Sequence, residues 1–190
     1  MDMTDVYTPT HYKLTVEDFY KLGEIGILNN ESRVELIEGE LIEMAPIGPP
    51  HLRGVNRITK LLVLAAGDQA EISVQNPILL PPYSVPQPDF AVLRRPLAGS
   101  EETVPGVIDV FVVIEVSDTS LSYDRNTKAR PYAKAGIAGF WIINVKGRKA
   151  ERFRQPGDGG YAEKDVLESG ARLAPAALPT MEIEVAALFS

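Results

Sequence analysis

The sequence has no cysteine and only two histidines. Without thiols there is no disulfide, no thiolate zinc site and no cysteine nucleophile. The same shortage argues against zinc as a cofactor. No run of about 18 apolar residues occurs, so no membrane-spanning helix is expected. The opening MDMTDVYTPT lacks both the basic and the apolar stretch of a secretory signal, and a cytoplasmic protein is expected. Positive charge is also scarce: 19 Lys and Arg face 26 Asp and Glu, for a net charge of −7. A chain that tracks nucleic acid usually shows a basic footprint, because covering phosphates releases counterions. Two considerations soften that objection. A metal site concentrates acids that a cation later neutralises. The basic residues are also grouped, with Arg125, Lys128, Arg130 and Lys134 in one segment and Lys146, Arg148, Lys149, Arg152 and Arg154 in another. There is no internal repeat and no low-complexity segment.

What is present suits a single domain. A chain of 190 residues, 45% hydrophobic, holds a real core. Residues 1–14 read as a loosely attached arm and 15–190 as one domain. Thr15 followed by Asp18 reads as a capped helix start over 16–22, ended by Gly23 and Gly26. RVELIEGELIEM, residues 33–44, alternates around Glu38-Gly39 as a hairpin, with Val34, Leu36, Leu41 and Met44 facing inward. A helix over 51–66 follows the breaker-rich PIGPP. Residues 71–80 are strand-like, PPYSVPQP is a turn, FAVL at 90–93 is a short strand, and 96–108 is a polar loop. VFVVIEV at 110–116 is the most apolar strand and fits the sheet centre. A helix over 123–135 closed by Gly136 leads to the strand FWIINV at 140–145, which a βαβ crossover makes parallel to the first. Residues 149–154 and 161–167 form a hairpin, and 178–190 an edge strand with a short helix. The fold class is α/β, with a mixed central sheet flanked by helices.

Acid inside apolar strands is the feature that carries chemistry. Glu115 lies in VVIEVS, where burying an ionised carboxylate costs several kcal/mol unless it is paired or holds a metal. The bland alternatives are a wet strand end or a bridge to a structural arginine. Asp89 follows Pro88 and opens FAVL, either as a turn residue or as a second acid entering the core. Two hard oxygen ligands, with waters and a backbone carbonyl, suit Mg²⁺ or Mn²⁺.

The ordered series RVELIEGELIEM, PIGPPH, PQPDFAVL, VVIEVSDTS, DRNTKARPYAKAGIAGFWIINV and RKAERFR resembles the Uma-two (Uma-type) family of putative restriction endonucleases, within the PD-(D/E)XK nuclease superfamily. The likeness runs from about Thr15 to Tyr161. It implies a restriction-endonuclease-like core and metal-dependent hydrolysis of phosphodiester bonds in DNA. It implies Asp89, Glu115 and the carbonyl of Val116 as ligands of Mg²⁺ or Mn²⁺, and a homodimer, the usual arrangement for cutting two strands. One departure stands out: the superfamily lysine two residues after the glutamate is Ser117 here. In the Uma-type pattern a lysine on the next helix takes its place, and Lys128 matches it, poised to stabilise the attacking water or the phosphate. Read without the resemblance, Lys128 is equally a surface lysine paired with Asp124.

Glu35 matches an active-site acid near the hairpin, while Glu38 and Glu40 belong to its solvated turn. His51 matches a family position suited to phosphate contact or to tuning a water, although a histidine after a proline-rich loop is often a cap or surface residue. Gln75 and Arg125 are further candidates for contact with substrate. Asp118 and Ser120 read as caps for the following helix, Tyr132 as packing behind Lys128, and Trp141 as core. The competing function is a catalytically inactive nuclease fold acting as a dimeric binding or regulatory module, which the acidic charge favours. Hydrolysis of RNA or a nucleotide is a third reading.

Overall fold

The computed structural model describes residues 10–29, 31–97 and 103–190. Most of the arm read over 1–14, and residues 98–102 of the polar loop, lie outside them. The arm's last residues are tied down: the Leu14 amide donates to Gly39 O at 3.0 Å. Helix α1 spans Val16–Glu24 and opens on a capping box, with Asp18 N donating to Thr15 Oγ1 at 3.1 Å and Thr15 N to Asp18 Oδ2 at 2.9 Å.

Strands β1 (Val34–Ile37) and β2 (Glu40–Glu43) form the expected hairpin, but its inward face differs from the alternation. Glu35, Leu36 and Ile37 are all buried, whereas Leu41 is exposed and Met44 only half-buried. The reason is that β1 alone lies against the body, where Val85 N donates to Leu36 O at 2.8 Å and Gly39 N to Tyr83 O. Helix α2 spans Pro49–Ala66 and begins two residues earlier than expected, because proline is tolerated where amides need no partner.

A six-stranded sheet runs in the order β3-β4-β5-β6-β7-β8, with β3 at Glu71–Val74, β4 at Phe90–Leu93, β5 at Val110–Ser117, β6 at Gly139–Asn144, β7 at Lys149–Gly157 and β8 at Gly160–Leu167. The strand read over 71–80 stops at Val74 because Gln75 takes a left-handed φ of 52°. Only β5 and β6 are parallel; the remaining neighbours are antiparallel, as a mixed sheet requires. Between β5 and β6 the chain makes a short helix α3 (Leu121–Tyr123), a π-helical turn (Asp124–Lys128) and helix α4 (Ala129–Ala135), closed by Gly136 at φ 88°. Strands β9 (Arg172–Leu173) and β10 (Ile183–Glu184) pair with each other rather than edging the main sheet.

Strand alternation divides the core in two. Val112, Ile114 and Val116 of β5 pack with Trp141 and Ile143 against α2. Val113, with Phe140, Ile142 and Phe153, packs against Ala129 and Tyr132 of α4. Glu115 and Ser117 share the parity of Val113 and so face α4. Among the described residues no helix is long and apolar enough to cross a membrane.

Candidate active site

The register Phe90–Ile114 between β4 and β5 sets Asp89 beside Glu115 at the point where both strands meet the loops. The two are interlocked. Val116 N donates to Asp89 Oδ2 at 2.8 Å, and Asp89 N approaches Glu115 Oε2 at 3.4 Å. Both acids are buried, Asp89 at 8% exposure and Glu115 at 4%, so neither the wet strand end nor the exposed turn describes them. Among the described residues no arginine forms a hydrogen bond or ion pair with Glu115. Its partners come from the helices: Lys128 Nζ donates to Glu115 Oε1 at 3.1 Å, and the Tyr132 hydroxyl to the same oxygen at 2.9 Å.

Lys128 is not a surface lysine paired with Asp124. It is 8% exposed, and it also donates to Glu35 Oε1 on β1 at 3.0 Å. Asp124 instead accepts from Ser117 Oγ at 2.5 Å and from Ser120 Oγ at 2.7 Å. The π-turn makes this arrangement possible. In a straight α-helix, at about 100° per residue, Asp124, Lys128 and Tyr132 would drift by about 80° around the axis. The wider turn, closed by Ala129 N donating to Asp124 O, takes out that drift and aims all three at the sheet. Such turns recur at functional sites.

Two further side chains hold Asp89. His51, on the first turn of α2, sets Nε2 at 3.0 Å from Asp89 Oδ1 and Nδ1 at 2.9 Å from Val116 O. Both facing atoms are acceptors, so both ring nitrogens carry a proton in this arrangement. The hydrogen bond to Asp89 accordingly raises the His51 pKa, against the opposing effect of burial. Gln75 Nε2 donates to Asp89 Oδ1 at 3.3 Å, and Gln87 Nε2 to Gln75 O at 2.5 Å. The Gln87 backbone N–H supports the Glu35 carboxylate.

Four buried carboxylates, Glu35, Asp89, Glu115 and Asp124, thus gather round one buried ammonium. Burial pushes Glu115 up to about 8, although Lys128 pulls the other way. Burial likewise raises Glu35 and Asp124. For Lys128 burial works against the charge, but Glu115 and Glu35 outweigh it and the net direction is upward. Carboxyl groups thus outnumber the cations Lys128 and His51 around them, and they present hard oxygens. The Tyr123 hydroxyl is buried beside the group without a hydrogen-bond partner. Among the described residues no three acids converge as a ready-made metal cage. Two carboxylates and the Val116 carbonyl nevertheless match the way Mg²⁺ binds, through one or two carboxylates while it keeps several waters. The donor set fits a hard divalent cation.

Asp89, Glu115, Val116, Lys128, Glu35, His51 and Gln75 are thus drawn together. Arg125 is not: its guanidinium lies against Glu151 on β7, with Nε at 2.9 Å from Oε2. Asp118 faces Lys146 at 3.3 Å, and Ser120 makes no side-chain cap of α3. Trp141 is core. Sequence reasoning did not find the buried roles of Asp124, Gln87 and the Tyr132 hydroxyl. The available signals were a polar Ser117 ending an apolar strand and the four-residue spacing of Asp124, Lys128 and Tyr132.

A family model described as Uma2, putative restriction endonuclease, matches residues 16–186. Among solved structures, the crystal structure of a putative nuclease belonging to DUF820 from Anabaena variabilis ATCC 29413 is similar in fold. Its TM-score is 0.71 at 18% sequence identity, over 93% of this chain and 97% of that one. None of the curated proteins matches the chain.

Proposed function

Since the chain belongs to the Uma2 family of putative restriction endonucleases, we propose that it is a metal-dependent endonuclease hydrolysing phosphodiester bonds of DNA at the Asp89–Glu115–Lys128 cluster. The observation that carries the reading is a buried ammonium 3.1 Å from a buried strand carboxylate, with a second strand acid interlocked beside it. Asp89, Glu115 and the Val116 carbonyl would hold Mg²⁺ or Mn²⁺, which when bound polarises a phosphoryl oxygen and makes water more acidic.

The remaining roles belong to the chain's own groups. Lys128 keeps its charge beside Glu115 and Glu35, and can direct an N–H to the attacking water or to the phosphoryl oxygens as charge builds in the transition state. Tyr132 and Glu35 fix the two ends of that geometry, on Glu115 and on the ammonium. His51 and Gln75 orient Asp89. Such a site works by position, because its groups are locked by one another before substrate arrives.

Incubating circular DNA, both single-stranded and plasmid duplex, and Mg²⁺ or Mn²⁺ with the wild-type protein, Asp89→Ala and Lys128→Ala tests the assignment. Cleavage by the wild type, with a loss of at least about a hundredfold in each variant, is expected; equal cleavage by all three defeats it. One observation favours a non-catalytic binding module instead: Asp89 Oδ1 and Oδ2 and Glu115 Oε1 already have donors within the protein. Calorimetric titration separates the two, since a site meant for a cation binds Mg²⁺ and loses it on Glu115→Ala.

A further inference from the structure

A cavity of about 750 Å³ has Asp89 in its wall. Two others, about 300 and 210 Å³, are lined by none of the clustered acids. One side of the large cavity is α1, an amphipathic helix that buries none of its residues completely. Its Phe19 and Tyr20 line the space, their rings edge to face with centroids 5.8 Å apart. Met44 and Ile47, after the hairpin, line it as well, together with Gln75, Gln87 and Asp89.

We propose that this cavity takes an unpaired nucleobase next to the scissile phosphate, so that the substrate class is single-stranded nucleic acid rather than paired duplex. The inference rests on the nuclease reading and narrows it. A base offers a flat π face and a polar edge, and the walls supply a partner for each. Aromatic rings give a stacking platform tolerant of sequence. The amide nitrogens of Gln75 and Gln87 are used within the protein, which leaves their oxygens as acceptors for the exocyclic amino group of a base. A volume near the middle of the range for small-ligand sites admits one or two such rings. A base inside a duplex is turned toward its partner and cannot enter.

Charge points the same way. Duplex binding relies on a row of cations along the phosphates, yet the cavity wall offers Arg33 alone in a chain of net charge −7. Stacking does not need that row. A half-exposed aromatic pair on a helix, lining the same cavity as a buried acid of the site, is the juxtaposition a threaded strand would use.

The test is binding and cleavage of one oligonucleotide carrying a fluorescent base analogue, presented single-stranded and as a duplex. The full chain is compared with Phe19→Ala/Tyr20→Ala, Ile47→Ala and Lys128→Ala. Binding is measured in chelator and cleavage in Mg²⁺. The single strand should bind at least about tenfold more tightly than the duplex, and the double variant should lose about tenfold, equal to about 1.4 kcal/mol. Ile47→Ala, at an exposed position lining the same cavity, should weaken single-strand binding in the same direction, and it keeps the test decisive if the double variant melts. Equal affinity for both forms, or single-strand binding undiminished in either folded variant, overturns the inference and leaves the nuclease reading standing. Cleavage by Lys128→Ala at the wild-type rate sinks the nuclease reading, whatever the base binding shows.

Discussion

Replacing Glu115 by glutamine should make the protein more stable in alkaline solution while abolishing cleavage. The carboxyl is buried at 4% exposure, and burial lifts it from an ordinary 4.5 to about 8. The folded state therefore holds the proton more tightly than the unfolded chain does. Its stabilising effect is complete below pH 4.5 and declines as the pH rises toward about 8. At about 1.4 kcal/mol for each pH unit, the full displacement sets an upper bound of about 5 kcal/mol. Lys128 and Glu35 respond to the same charge, so a loss of about 1–3 kcal/mol between pH 5 and 9 is the working expectation. Glutamine cannot ionise, yet its carbonyl can still accept from Tyr132 and Lys128. Urea denaturation at about pH 5, 7 and 9 should show wild type and Glu115→Gln within about 1 kcal/mol in acid and the variant ahead by about 1–3 kcal/mol in alkali. Mg²⁺ should narrow the alkaline gap by stabilising the wild type alone. Parallel stability profiles, or a variant weaker than wild type at the alkaline end, would refute the claim that a strained carboxylate sits here.

Lys128→Met should lower the cleavage rate by at least about a hundredfold. It should also destabilise the fold by about 3–5 kcal/mol near neutrality, and by less in acid, where the stranded carboxylates protonate; unchanged denaturation midpoints count against the buried network. The apparent Mg²⁺ affinity, read by calorimetry, should climb by up to about tenfold per pH unit below the Glu115 pKa of about 8 and flatten above it; a flat profile removes Glu115 from the ligand set. Glu35→Gln should keep Mg²⁺ binding but lower turnover by about tenfold, through a looser Lys128, and lost Mg²⁺ binding would instead make Glu35 a ligand. Gly54→Ala would set a Cβ at 3.0 Å from Val116 Cγ1. It should cost about 1–3 kcal/mol and reduce cleavage, because Val116 meets both Asp89 and His51; full activity at reduced stability separates that contact from function.

Much of this was legible because strands and caps are local. The apolar run of β5 announced a central strand, Thr15 and Asp18 announced α1, and an acid in the middle of VVIEVS had to be satisfied somehow. The hairpin's inward face was misread because alternation assigns a face without saying which strand the body covers. Leu41 ended exposed while Glu35 was buried. The partners of Glu115 were legible only through likeness to other sequences, since nothing local says that β1 and the crossover helix converge on one strand end. A π-turn leaves no periodic trace in fifteen residues of helix-like pattern, so the four-residue spacing of Asp124, Lys128 and Tyr132 hinted at a shared face without showing that all three turn toward Glu115.

The two peculiarities of the site have one cause. A sheet centre that is apolar on both faces can seat a carboxylate only if something opposite supplies charge, and Lys128, even with His51 beside Asp89, supplies too little for four acids. Were the network complete in itself, a second buried cation would be the cheaper solution, and apolar replacements would be cheaper still. The protein instead leaves Glu115 raised by burial, and keeps Asp89 at the wall of an aromatic cavity. A residual deficit of positive charge, facing an opening, is relieved either by a proton on Glu115 or by a cation that arrives from outside. On the proposed reading, Asp89 and Glu115 would meet that deficit by holding a divalent cation, which would also attract an approaching phosphate.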